Sequence, residues 1–179
     1  MNFGVLIVLG SYYVQAQNIL IEPIIASLPV ALLITLILYI NEFPDFNADK
    51  TAGKGTIVVR LGRRRAAAGY AVLMALVYAI PIIAVFLNLI HLYNLIVIVT
   101  LPLVVKCIRL VRVHYEDSYK MAPANGGTII THLLVTLYLT LAYVMSFVSL
   151  EIFAITAVFF LIVTFRLTEV MMRGPNPEL

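Results

Sequence analysis

Short polar stretches divide almost the whole of this chain into apolar blocks, near 3–16, 22–40, 66–90, 92–111, 126–150 and 152–165. A helix that crosses a bilayer needs about 20 mostly apolar residues. Four of the blocks meet that requirement comfortably, while the first and last are short. Only 12% of the residues are charged, against roughly 25% in soluble domains, and the mean hydropathy is +1.04. A transmembrane β-barrel would read instead as weakly alternating segments of about 10 residues. The pattern predicts an all-α fold: a polytopic transmembrane helical bundle with about six membrane segments. It further predicts a single transmembrane domain over 1–179, with an Asp-rich loop at 41–66 and a second loop at 112–125.

The charges refine that outline. A pI near 9.1 could suit nucleic acid, but the bases are placed for a membrane. Lys50, Lys54, Arg60, Arg63, Arg64 and Arg65 share one loop; Lys106, Arg109, Arg112 and Lys120 surround a second; Arg166 and Arg173 lie at the far end. If each block crosses once, all 12 bases fall on one side. The positive-inside rule makes that side cytoplasmic. The expectation is a multi-pass protein of the plasma membrane, with its N-terminus and Asp-rich loop inside the cell and no nucleic-acid partner. The lone Cys107 has no disulfide partner. Pro29, Pro81 and Pro102 lie inside apolar blocks, where they shape or kink helices. The tail MMRGPNPEL reads as a frayed cytoplasmic end.

The stretch NEFPDFNADKTAGKGTIVVRLG, residues 41–62, gathers acids, bases and glycines directly after an apolar block. Pro44 disfavours helix at Phe43, so the second membrane helix is expected to end there. Proline suits the first position of a new helix and Gly53 its end, which predicts a short helix over 44–52. Four-residue spacing puts Asp45 and Asp49 on one face. Two such carboxylates can hold Mg²⁺ from one side and leave its other positions to water and phosphate oxygens. Lys50, Lys54 and Arg60 then stand ready to neutralise phosphate charge. The plainer alternative, a charged loop that only fixes topology, explains the bases but not the paired acids. An EF-hand is excluded, because its sixth position would be Lys50 and its twelfth Thr56. A P-loop is excluded by Ala48 and Gly55 at positions that need Gly and Ser/Thr.

That stretch closely resembles the second aspartate-rich motif of the UbiA superfamily of intramembrane prenyltransferases, in the branch of 1,4-dihydroxy-2-naphthoate polyprenyltransferases. GVLIVLGSYYVQ (4–15) resembles the helix before the motif, and PANGGTIITHLL (123–134) is similar to a later segment. The resemblance implies a nine-helix fold in which two aspartate-rich motifs face each other across a cavity. Each helps bind Mg²⁺ and the diphosphate of a polyprenyl donor. Departure of diphosphate leaves an allylic carbocation, which an aromatic acceptor attacks. Carried over, Asp45 and Asp49 become the catalytic metal-binding pair. Asn41, Lys50, Lys54 and Arg60 become diphosphate-binding positions, and the implied product belongs to menaquinone-like quinone biosynthesis. The family's first motif, N-D-x-x-D-x-x-x-D, has no counterpart, since the only aspartates are Asp45, Asp49 and Asp117. The expectation is therefore a C-terminal portion of such an enzyme, inactive alone, whose partner is an N-terminal half carrying the first motif. The short first block agrees with that.

Other positions admit two readings each. His132 sits about two turns into the fifth block, bonded to a neighbouring helix or facing a cavity. Asn125 precedes Gly126 and Gly127, as a cap or turn or as a cavity-lining contact. Lys106 and Arg109 either snorkel to headgroups or face the diphosphate. Arg63 to Arg65 read as topology determinants, and Tyr12 and Tyr13 as an outer aromatic belt or cavity lining. Glu116 and Asp117 read as a solvated loop, and Arg166 and Glu169 as a pair. The competing function class is a noncatalytic membrane subunit or degenerate remnant that binds lipid or partner helices. A small transporter fits less well, because the acids lie at the rim rather than at the bilayer midplane.

Overall fold

Each apolar block folds as helix in the computed structural model, which describes residues 2–147 and 149–172. The elements are α1 (Asn2–Ala16), α2 (Ile21–Thr51), the short α3 (Ile57–Leu61), α4 (Arg63–Phe86), a 3₁₀ helix (Leu92–Thr100) that leads directly into α5 (Leu101–His114), α6 (Ser118–Val144), a 3₁₀ turn (Met145–Phe147) and α7 (Leu150–Met172). Five helical stretches are long and apolar enough to cross a membrane: Ile21–Thr51, Arg63–Phe86, Leu92–His114, Ser118–Val144 and Leu150–Val170. α1, about 22 Å long at 1.5 Å per residue, is shorter than the ~30 Å hydrocarbon core. Of the tail read as a frayed end, Met171 and Met172 belong to α7, while Arg173 and the residues after it lie outside the described residues.

Three boundaries differ from the sequence expectation, each for a local reason. The last block is not short. α7 runs for 23 residues and carries Arg166 and Glu169, which pair at 3.9 Å. Second, Pro44 does not end α2, and no separate helix starts there. Proline removes one backbone bond, but Tyr39 and Phe43 on the preceding turn are buried at 4% and 1% exposure, so packing carries the helix through. α2 stops only at Gly53, whose φ of +70° suits a residue without Cβ. The Gly53 and Lys54 N–H groups bond back to the Lys50 and Asp49 carbonyls at 3.3 and 2.8 Å, a Schellman closure. The region read as an Asp-rich loop at 41–66 is therefore mostly helical.

Third, the loop expected at 112–125 contracts to a few residues. Asp117 stays solvated in that short connection and also has a structural role: its Oδ1 accepts bonds from the Tyr119 and Lys120 N–H groups at 3.1 Å each and so caps α6 at its start. The Lys120 backbone N–H, together with the Lys120 side chain at 3.2 Å, holds the Asp117 carboxyl below the usual carboxylate range. Asn125 consequently lies inside α6, neither its cap nor a turn, while Glu116 stays exposed.

α2 is the central element, packing along α1, α4 and α6. α5 packs along α6, and α7 leans on the 3₁₀ helix, α5 and α6 from outside. The core is apolar, with Leu33, Leu36, Tyr70, Met74, Leu103 and Tyr138 fully buried. Buried tyrosines cross-link the helices: Tyr70 to Thr128 at 2.7 Å, Tyr138 to Thr164 at 2.6 Å, and Tyr39 to the Ala66 carbonyl at 3.0 Å. Bonds of this kind contribute about 0.6 kcal/mol on average in membrane proteins and at most ~1.7. Thr128 also donates to the Ala124 carbonyl, so it keeps one bond without Tyr70. Tyr70→Phe is accordingly expected to cost about 0.6 to 1.7 kcal/mol. Reversible unfolding in mixed micelles measures this, and a loss well above that range would mean the hydroxyl does more than bridge α4 and α6.

Candidate functional site at the α2–α6 seam

The end of α2 presents a polar line at four-residue steps: Asn41, Asp45 and Asp49. Asn41 and Asp45 are exposed, whereas Asp49 is 8% exposed. Residues four apart are neighbours on a helix surface, so the carboxylate spacing expected from sequence survives although the helix boundary does not. The segment that follows folds back onto α2. Glu42 Oε2 accepts a bond from the Val58 N–H at 3.0 Å, which pins the first turn of α3. The Arg63 guanidinium lies 4.6 Å from the Phe46 ring centroid, a cation–π contact. Lys54 Nζ sits 3.3 Å from Asp49 Oδ1. Arg60 curls over Gly55, where an added Cβ would come within 3.0 Å of its Nε. Lys50 stands exposed.

Asn125 Nδ2 donates to Asn41 Oδ1 at 3.0 Å, which joins two of the sequence-predicted positions across 84 residues of chain. Asn125 Oδ1 is buried with no hydrogen-bond partner among the described residues. The same holds for His132 Nδ1, Thr136 Oγ1 and Tyr143 OH. The intervals from Asn125 to His132, Thr136 and Tyr143 are seven, four and seven residues, which keep all four on one face of α6. The face follows the seam with α2. At the far end Tyr143 lines a cavity of about 310 Å³ with Glu22, Pro23 and Ala26 of α2 and with Val8 and Tyr12 of α1. α2 and α6 thus run antiparallel, with Asn41 beside Asn125 at one end and Pro23 beside Tyr143 at the other.

The chemistry of the donor set is compatible with Mg²⁺. Two carboxylates one turn apart match the usual protein contribution to Mg²⁺ bound through substrate phosphates. Among the described residues no three or more His, Cys, Asp or Glu side chains gather to hold a metal. Lys54 is 68% exposed, so its pairing with Asp49 is weak and readily exchanged. Sequence reasoning missed Glu42, Arg63, Thr136 and Tyr143. The seven-four-seven spacing along α6 was visible for the last two; the contacts of Glu42 and Arg63 depend on α3 folding back. Lys106 and Arg109 remain exposed, and Tyr12 lines the cavity described above.

The family model described as UbiA prenyltransferase family matches residues 1–125. The chain belongs to the UbiA prenyltransferase family. Over 147 residues it is 35% identical to the 1,4-dihydroxy-2-naphthoate octaprenyltransferase of Escherichia coli (strain K12), covering 80% of this chain and 46% of that protein. Over 73 residues it is 36% identical to the protein of the same description from Haemophilus influenzae (strain ATCC 51907 / DSM 11121 / KW20 / Rd), covering 41% of this chain and 24% of that one. The chain therefore spans about half the length, or less, of these curated relatives. No solved structure matches significantly. Membership of this family and five helices of membrane-spanning length make it a multi-pass membrane protein.

Proposed function

We propose that this chain supplies one wall of a Mg²⁺-dependent site that transfers a polyprenyl group from a polyprenyl diphosphate to an aromatic acceptor, in quinone biosynthesis of the menaquinone type. The hydrogen bond between Asn41 and Asn125 carries the reading, because it sets the Asp-rich end of α2 beside the polar face of α6. Asp45 and Asp49 would hold Mg²⁺, which when bound supplies charge neutralisation of the departing diphosphate. Lys50, Lys54 and Arg60 neutralise the phosphate charge that remains. His132, Thr136 and Asn125 face the acceptor and offer its hydroxyl groups hydrogen-bond partners. The relatives' descriptions support a naphthoate acceptor. The bases face the cytoplasm, as the positive-inside rule requires.

The opposing carboxylates come from outside this sequence, whose third aspartate, Asp117, caps α6. A separate N-terminal half with the first motif completes the site. The test joins these 179 residues to the N-terminal part of the Escherichia coli relative. The expected result is Mg²⁺-dependent octaprenyl transfer to 1,4-dihydroxy-2-naphthoate by the fusion and none by the 179-residue chain alone. Transfer by the chain alone, or a folded fusion with no activity, would overturn the reading.

A further inference from the structure

α4 and α5 meet at the basic end of the bundle, on a side of α4 distinct from the Asp-rich segment. Successive helix residues point about 100° apart. Arg63 faces Phe46, and Arg64, one step further round α4, lines the side toward α5. Arg64 from the first turn of α4 and Arg112 from the last turn of α5 line a common cavity of about 390 Å³ with Tyr115, Ala67 and Ala68. Neither guanidinium forms an ion pair among the described residues. The positive-inside rule accounts for bases at this end, but not for two guanidinium groups from different helices turned into one recess.

We propose that this recess binds the phosphodiester headgroup of an anionic phospholipid. Guanidinium groups bind phosphate oxygens through paired N–H donors, and basic pockets between membrane helices are suited to such headgroups. Charge alone would serve a free phosphate equally well; the surface beside the recess selects a lipid. At four-residue steps from Arg64 come Ala68, Val72 and Leu76, the last two 59% and 43% exposed, and seven residues before Arg112 comes Val105, 45% exposed. An apolar ridge on α4 and the exposed Val105 on α5 thus continue from the cationic recess along the membrane-spanning surface, where acyl chains lie. The proposal stands apart from the prenyl-transfer reading, since none of its residues belongs to the α2–α6 seam.

The full chain in detergent, titrated with phosphatidylglycerol, phosphatidylcholine or inorganic phosphate and followed by native mass spectrometry, tests this. Two arginines near a membrane surface contribute about 1 kcal/mol each, so phosphatidylglycerol is expected to bind roughly 30-fold more tightly than phosphatidylcholine. The double variant Arg64→Gln, Arg112→Gln loses that preference, while Arg166→Gln, at an exposed position on α7, retains it. Equal binding of the two lipids, an unchanged preference in the double variant, or full displacement of phosphatidylglycerol by millimolar inorganic phosphate would each overturn the assignment.

Discussion

Asp49→Asn in the completed enzyme is expected to lower Mg²⁺-dependent prenyl transfer by about 10²-fold or more, and Asp45→Asn by a similar factor. Removing one group that stabilises developing charge in a preorganised site costs about 10² to 10³ in rate. The two carboxylates are not equivalent, however. Asp45 is exposed, whereas Asp49 is nearly buried and holds Lys54 at 3.3 Å. A structural role for Asp49 would therefore predict that Lys54→Met reproduces the loss. The exposed pair itself contributes only about 0 to 1 kcal/mol; Lys54→Met, which also removes one phosphate-neutralising charge, should weaken use of the diphosphate donor while leaving the Mg²⁺ requirement unchanged. The measurement is the rate as a function of Mg²⁺ concentration for all three variants. If Lys54→Met matched Asp49→Asn in rate and Mg²⁺ dependence, Asp49 would be a loop anchor and the metal assignment would fail.

Gly4→Leu is expected to detach α1 from α2. A Cβ at Gly4 would overlap Ala31 in both side chain and backbone, and backbone cannot yield as a flexible side chain does. Close approach through small residues is how membrane helices associate when lipid offers no hydrophobic gradient. Overpacking a tight contact costs about 1 to 3 kcal/mol, occasionally more. Gly10 lies on the same helix, and a Cβ there meets nothing within 4 Å, so Gly10→Leu should be nearly silent. Thermal unfolding in detergent, with proteolysis at the α1–α2 connection, compares the two. Equal behaviour would show that α1 does not depend on the Gly4–Ala31 crossing. Displacing α1 also opens the recess around Tyr12 and Tyr143, which couples this contact to the far end of the α2–α6 seam.

The spacing of the candidate carboxylates was legible along the chain because it is local. Asp45 and Asp49 share a face by spacing alone, and the helix preserved that spacing even though Pro44 fell inside it rather than at its start. Pro44 removes one backbone bond from α2, and the burial of Tyr39 and Phe43 that outweighs it is set by packing and not by local sequence. The cap role of Asp117 is not visible along the chain, because it depends on the N–H groups of Tyr119 and Lys120, which point at it only once α6 has formed. Arg63 and Arg64 look alike in sequence. Their separate roles follow from which neighbouring helix each one meets.

The sequence by itself determined the all-helical architecture, the clustering of bases and the four-residue spacing of the carboxylate pair. Bilayer thickness, backbone hydrogen bonding in lipid and helical periodicity act over a few turns, so the order of residues is enough to express them. Only the tertiary structure decided that Asn125 lies against Asn41, that Glu42 pins α3, that His132, Thr136 and Tyr143 follow the α2 seam, and that Arg64 and Arg112 share a recess. Those contacts join residues far apart in the chain. They depend on which helix faces pack together, and most apolar faces in a membrane protein look alike until side-chain shape and the few buried polar bonds choose among them.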